Sequence, residues 1–112
     1  MLSRESRIRS EKEFKKIFRF GKRFDTENFS FLVLKNEKGG RVKVGVVVSN
    51  KIDKRATRRN GIKRRIRAIV REHMNKITSG EQIVIRAKKA LDYPYDFKKI
   101  EKEIMLLIDK IK

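Results

Sequence analysis

The sequence predicts an α+β domain, a two-layer α–β sandwich with helices packed on one face of a sheet, in the order helix, hairpin, helix, strand, helix. Three observations carry that expectation. Apolar residues recur at helical spacing in three segments. In three others, β-branched and aromatic residues gather in short runs. At 112 residues the chain has room for one modest core and not for two. Residues 1–112 therefore read as a single domain, with no linker, repeat or low-complexity segment.

Ser10 and Glu13 have capping-box spacing, and Phe14, Ile17 and Phe18 follow at i, i+3 and i+4 until Gly21 ends the pattern. A first helix is expected there. Phe29 to Leu34 and Val42 to Val48 read as strands, and the intervening Asn36-Glu37-Lys38-Gly39-Gly40 makes them a β-hairpin. Val42, Val44, Val46 and Val48 share one face of the second strand, while Lys43, Gly45, Val47 and Ser49 take the other. One face is expected to be core and the other open. From about Arg58 to Met74, Ile62, Ile66, Ile69 and Val70 form a helical stripe, with Thr78-Ser79-Gly80 as the exit. Gln82 to Ala87 reads as a strand with Ile83 and Ile85 on one face and Val84 and Arg86 on the other. Pro94 then interrupts. A last helix follows the N-cap candidate Asp96, with Phe97, Ile100, Ile104, Leu107, Ile108 and Ile111 as its apolar side.

Thirty-two Lys and Arg against fourteen Asp and Glu leave a net charge of +18. Such an excess destabilises a compact fold by self-repulsion unless an anionic partner offsets it, and nucleic acid is the leading candidate. Half of the excess, +9, lies between residues 51 and 76. A surface charged only for solubility would spread the cations and mix the signs. Membrane-surface segments pair their basic face with a wide uncommitted apolar one. The apolar runs, such as Val44 to Val48 and Met105 to Ile108, fall far short of the roughly 20 residues a membrane helix needs. Without cysteine there are no disulfides or thiolate metal sites. The N-terminus, with Arg4, Arg7 and Arg9, lacks the apolar segment of a secretory signal. A cytoplasmic protein is expected, with no membrane and no evident protein partner.

The densest stretch runs from Ser49 to Arg67. At 100° per residue, Asn60, Lys63, Arg64, Arg67 and Arg71 fall within roughly a 100° arc, on a different side from Ile62, Ile66 and Ile69. Guanidinium forks in such a line can grip phosphate oxygens bidentately. A merely solvated basic face is the alternative. Asn60 can both donate and accept among neighbours that only donate, or can serve as a helix-start cap.

Arg59-Asn60, then Lys63-Arg64 and Arg67, resembles the arginine-asparagine-x-x-lysine-arginine-x-x-arginine signature of the bacterial ribonuclease P protein subunit. The resemblance covers nearly the whole chain. Glu13-Phe14-Lys15-Lys16-Ile17-Phe18-x-x-Gly21 is similar to that family's N-terminal helix. Lys43-Val44-Gly45-Val46-Val47-Val48-Ser49 is similar to its strand before the basic loop, and Ile83-Val84-Ile85-Arg86-Ala87 to its last strand. In the loop this chain departs from the pattern. Many members have two lysines after the serine and a glycine before the alanine, where this chain has Asn50-Lys51 and Lys54-Arg55.

The resemblance implies a fold like that of ribosomal protein S5 domain 2. It also implies a non-catalytic protein subunit of a ribonucleoprotein endonuclease that removes the 5′ leader from precursor tRNA. Its partners would be a catalytic RNA and the precursor tRNA, and Mg²⁺ would serve the holoenzyme while being bound mainly by RNA. The motif positions are Arg59, Asn60, Lys63, Arg64 and Arg67, extended by Arg71, and the leader-cleft positions are Phe14, Phe18 and Ser49. Lys51, Lys54, Arg55, Arg58 and Arg86 are expected as further basic contacts. Rings beside cations also make a platform for single-stranded nucleic acid on physical grounds, although Phe14 and Phe18 could equally be core residues at i and i+4.

A protein-borne nuclease site is not expected. His73, the only histidine, has the helical phase of Ile62 and Ile69, which suits a core-edge residue better than a general base. Asp25, Asp53, Asp92 and Asp96 stand singly and form no two-metal set, so no metal site is expected in the protein. A ribosomal or other structural RNA binder is the alternative, and a DNA binder comes third.

Overall fold

The computed structural model describes residues 7–8, 10–35, 40–77, 81–88 and 93–111. Their elements are α1 (Glu11–Phe20), β1 (Lys22–Asp25), β2 (Phe29–Lys35), β3 (Lys43–Val47), α2 (Ala56–Glu72), a 3₁₀ turn (Met74–Lys76), β4 (Glu81–Ala87) and α3 (Phe97–Lys110). The α+β sandwich expected from the sequence is present, and each expected helix and strand has its counterpart. The turn residues 36–39, the exit 78–80, Arg4, Arg9 and Asp92 lie outside the described residues.

The caps behave as their chemistry dictates. Ser10 accepts from the Glu13 backbone N–H at the start of α1, and Asp96 accepts from those of Lys98 and Lys99 at the start of α3. Gly21 closes α1 because a side chain there would lie 2.5 Å from the Ile17 carbonyl oxygen. The N-cap of α2 is Arg55, so Asn60 lies inside the helix and the capping role considered for it does not hold.

Strand pairing corrects the hairpin. The sheet order is β1-β2-β4-β3: β4 lies between the two strands expected to pair, antiparallel to β2 and parallel to β3. Because β4 is apolar on both faces, with Ile83 and Ile85 on one and Val84 on the other, its burial is best served in the middle of the sheet. A connection of several residues can step over one strand, about 10 Å from β2 to β3, as readily as it can turn back. The hairpin that exists joins β1 to β2, with Lys22 opposite Val33 and Asp25 opposite Ser30.

Side chains then sort by face. Phe29, Phe31, Val44, Val46, Ile83 and Ile85 meet Ile62, Ile66 and Ile69 of α2 and Ile100, Ile104, Leu107 and Ile108 of α3 in the main core. On the opposite face Leu32 and Val84 pack with Ile17 of α1 and with Ile8. The helices therefore do not all share one face: α2 and α3 form the helical layer, and α1 crosses the other side. That side is only partly open. A short pairing of Arg7 with Val44 lays the N-terminal segment along the edge of β3. Glu103 is buried at 8% exposure, where it accepts from the Asn28 backbone N–H at 2.9 Å and from Asn28 Nδ2 at 2.6 Å, tying the β1–β2 turn to α3. No helix among the described residues is long and apolar enough to cross a membrane.

Candidate nucleic-acid interface

The register of the sheet sets out the surface around α1 in rows. Leu34, Gln82 and Lys43 form one row, Leu32, Val84 and Gly45 the next, and Ser30, Arg86 and Val47 the third. Helix α1 lies over the middle row with Ile17 pointing in. On its helical wheel Glu13 falls on one side of Ile17, and Phe14 and Phe18 fall on the other. Glu13 pairs with Lys43 at 3.6 Å on the first side, while Phe14 packs into the cluster of Ile8, Ile17, Leu32 and Val84 on the second.

The row of Ser30 and Arg86 borders a groove of about 410 Å³ lined by Arg23, Ser30, Ser49, Lys51, Ile52, Arg86, Ala87 and Lys88. Phe14 is half-buried against β3, where Gly45 makes room for its ring: a Cβ there would come within 2.7 Å of Phe14 Cε1. Phe18 is 42% exposed. Asp25 sets the cations of the groove, pairing with Arg23 at 3.0 Å and with Lys88 at 3.0 Å. Those bonds, Arg23 first and Lys88 second, hold the Asp25 carboxyl below its ordinary pKa of 3.8.

The loop that carries Ser49 and Lys51 leads straight into α2, whose first turn holds no acidic residue. Asn60, Arg64 and Arg71 are exposed on this helix, and Lys63 and Arg67 are half-buried beside them. Burial, and then the charge of Arg7, weaken the hold of Arg67 on its proton. Arg59 is partly committed, since its Nη1 donates to the carbonyl oxygens of Asp53 and Lys54, each at 2.9 Å. It fastens the loop as well as belonging to the motif. Lys54 and Arg55 are exposed in that loop.

Asp53 organises the same loop. It accepts from the Arg55 backbone N–H at 2.9 Å and from Tyr95 Oη at 2.6 Å, and it lies 3.7 Å from Arg58. The Tyr95 bond, followed by that of Arg55, lowers the pKa of Asp53. Arg58 also stacks on Tyr93, 3.4 Å from the ring centroid. His73 is the half-buried C-cap of α2, at the edge of the helix as its phase suggested. Sequence reasoning missed Arg23 and Lys88, which border the groove from a strand not anticipated and from the residue just past β4. It also missed the two tyrosines. The β-strand alternation of Lys22-Arg23-Phe24-Asp25 was the one available signal for Arg23.

The sequence model of the ribonuclease P family matches residues 2–112. The chain belongs to the ribonuclease P protein family. A ribonuclease P protein component from Thermotoga maritima is 34% identical over 112 residues, covering 97% of this chain and 94% of that one. One from a Pseudanabaena species is 32% identical over 94 residues, covering 84% and 81%. The solved structure of the Thermotoga maritima ribonuclease P protein is similar with a TM-score of 0.83 at 33% identity, over 95% of this chain and 97% of that one. The Staphylococcus aureus protein, also at a TM-score of 0.83, is 25% identical over 95% and 96%. The ribonuclease P resemblance of the basic helix thus extends to the entire fold.

Proposed function

We propose that this chain is the protein subunit of a cytoplasmic ribonuclease P holoenzyme, binding the catalytic RNA through α2 and the 5′ leader of precursor tRNA in the groove beside α1. The observation that carries this reading is the continuity of the two surfaces: the loop through Ser49 and Lys51 borders the groove and delivers the basic helix. In this reading the groove takes a single strand, with Arg23, Lys51 and Arg86 of its lining for phosphates and the exposed Phe18 of the neighbouring helix for a base. The helix offers a line of forks suited to a folded RNA backbone. The cleavage itself is assigned to the RNA. The ions of the holoenzyme are likewise assigned mainly to the RNA; among the described residues no three His, Asp or Glu side chains come together.

The test is the affinity of the reconstituted holoenzyme for precursor and for mature tRNA. Precursor should bind more tightly, and Phe18→Ala should reduce that preference by about 1–3 kcal/mol while leaving mature tRNA little affected. Circular dichroism should show the variant folded, because Phe18 is substantially exposed. Equal affinity of the wild-type holoenzyme for both RNAs would instead favour a general RNA binder.

A further inference from the structure

Resting on the reading that this chain binds RNA, we infer that the flank of α2 facing the start of α3 is a second nucleotide site. Unpaired bases of an RNA strand stack there on Tyr93 and Phe97, with Arg58, Arg64 and Arg65 beside their phosphates. Arg58, Gly61, Arg65 and Ala68 follow one another at spacings of three, four and three residues. They form a stripe centred roughly 120° around the helix from the line of Asn60, Lys63, Arg64, Arg67 and Arg71. This stripe is thus distinct from the groove beside α1 and adjoins the motif face, with Arg64 on the border between the two.

Two guanidinium–ring pairs mark it. Arg58 lies 3.4 Å from the centroid of Tyr93 and Arg65 lies 5.2 Å from that of Phe97. Tyr93 is nonetheless 58% exposed, and Tyr95 meets it nearly at right angles, with the centroids 5.4 Å apart. Tyr95 is itself fixed by its bond to Asp53, so the exposed ring is oriented in advance. Between the helices a groove of about 320 Å³ is lined by Gly61, Arg64, Arg65, Ala68 and Phe97. A Cβ at Gly61 would meet nothing within 4 Å, which leaves the helix backbone open to close approach.

Charge and chemistry select the occupant. Arg64 and Arg65 form no ion pair among the described residues. The neighbouring carboxylates Asp53 and Asp96 are engaged by Tyr95 and by the first turn of α3. An acidic peptide would use the cations and leave the rings idle. Nucleotides use both, since every base has a face to stack and every phosphate a charge to pair.

The chain has no tryptophan and two tyrosines, so its intrinsic fluorescence reports directly on this site. Oligoadenylate of about ten nucleotides should quench the emission of the wild-type protein. Tyr93→Phe, which keeps the ring, should bind equally well with most of that quench gone. Inorganic polyphosphate, which has charge without bases, should not quench. Gly61→Leu fills the groove from a position with open space and replaces a glycine in a helix interior, so the fold is retained. It should weaken oligoadenylate binding about tenfold. The inference is overturned, with RNA binding intact, if oligoadenylate binds without quenching or if the quench persists in Tyr93→Phe. Wild-type affinity in Gly61→Leu, or equal quenching by polyphosphate, overturns it too. If the wild-type protein binds no RNA, the underlying reading falls as well.

Discussion

Asp53 is one short side chain that joins three parts of the molecule: the loop after β3, the first turn of α2 and the segment before α3. Its partner Tyr95 is pushed up to about 12, first by burial and then by this bond. A tyrosine in an unfolded chain releases its proton near 10, so the stability contributed by Tyr95 is fully present below that pH and is lost as pH rises towards 12. In a Tyr93→Phe background, the ultraviolet absorbance of phenolate should therefore appear about two pH units above that of free tyrosine. Adding Asp53→Ala should bring it back part of the way. A midpoint that ignores this substitution would mean that burial alone sets the value. The residue also helps to hold the loop that departs from the family pattern of the resemblance. The carboxylate at position 53 and the fork of Arg59 supply the restraint that holds Lys54 and Arg55 on the surface.

The elements differ in how clearly their sequences announce them. Helix α2 was legible because its isoleucines and its cations both follow the helical period, and a period survives whatever the helix packs against. If its basic line grips phosphates, Arg64→Ala should lower the log–log salt slope of RNA binding by about 0.7–0.9. An unchanged slope would leave Arg64 as solvated charge. The caps at Ser10 and Asp96 were legible for the same local reason. Pairing partners were not, because hydrogen bonds between strands carry no residue code. Phe29 to Leu34 and Val42 to Val48 have strand character whichever neighbour they take. Strand β1 escaped notice because an edge strand of four residues, three of them charged, looks like a loop. Of the residues expected around a cleft, Ser49 and Arg86 line the groove, while Phe14 and Phe18 are not among its lining residues. Its border of Arg23 and Lys88 exists only once Asp25 brings them together.

At the scale of the whole molecule, the sheet divides the labour. One face is sealed by α2 and α3, and the other is left half-covered by α1. The sealed face depends on Glu103, the charged residue buried in the apolar side of α3. Glu103→Ala strands both the Asn28 backbone N–H and its side-chain amide, and should cost about 2–4 kcal/mol, read from the urea midpoint with the slope unchanged. Little loss would mean that water replaces the carboxylate. The place of β4 also bears on the order of events during synthesis. Of the four strands it is made last, yet it is the partner of both β2 and β3. Until residue 87 has left the ribosome, β3 has no long neighbour in the sheet and the isoleucines of α2 have only half a surface to cover. The most cationic part of the chain is thus synthesised before the strand that completes its fold exists. Folding must wait for contacts distant in sequence, which makes it slow relative to a helical bundle of this size. The same charges that serve the finished protein are then free to bind the nearest polyanion, so a nascent chain of this topology gains from prompt capture by its own RNA.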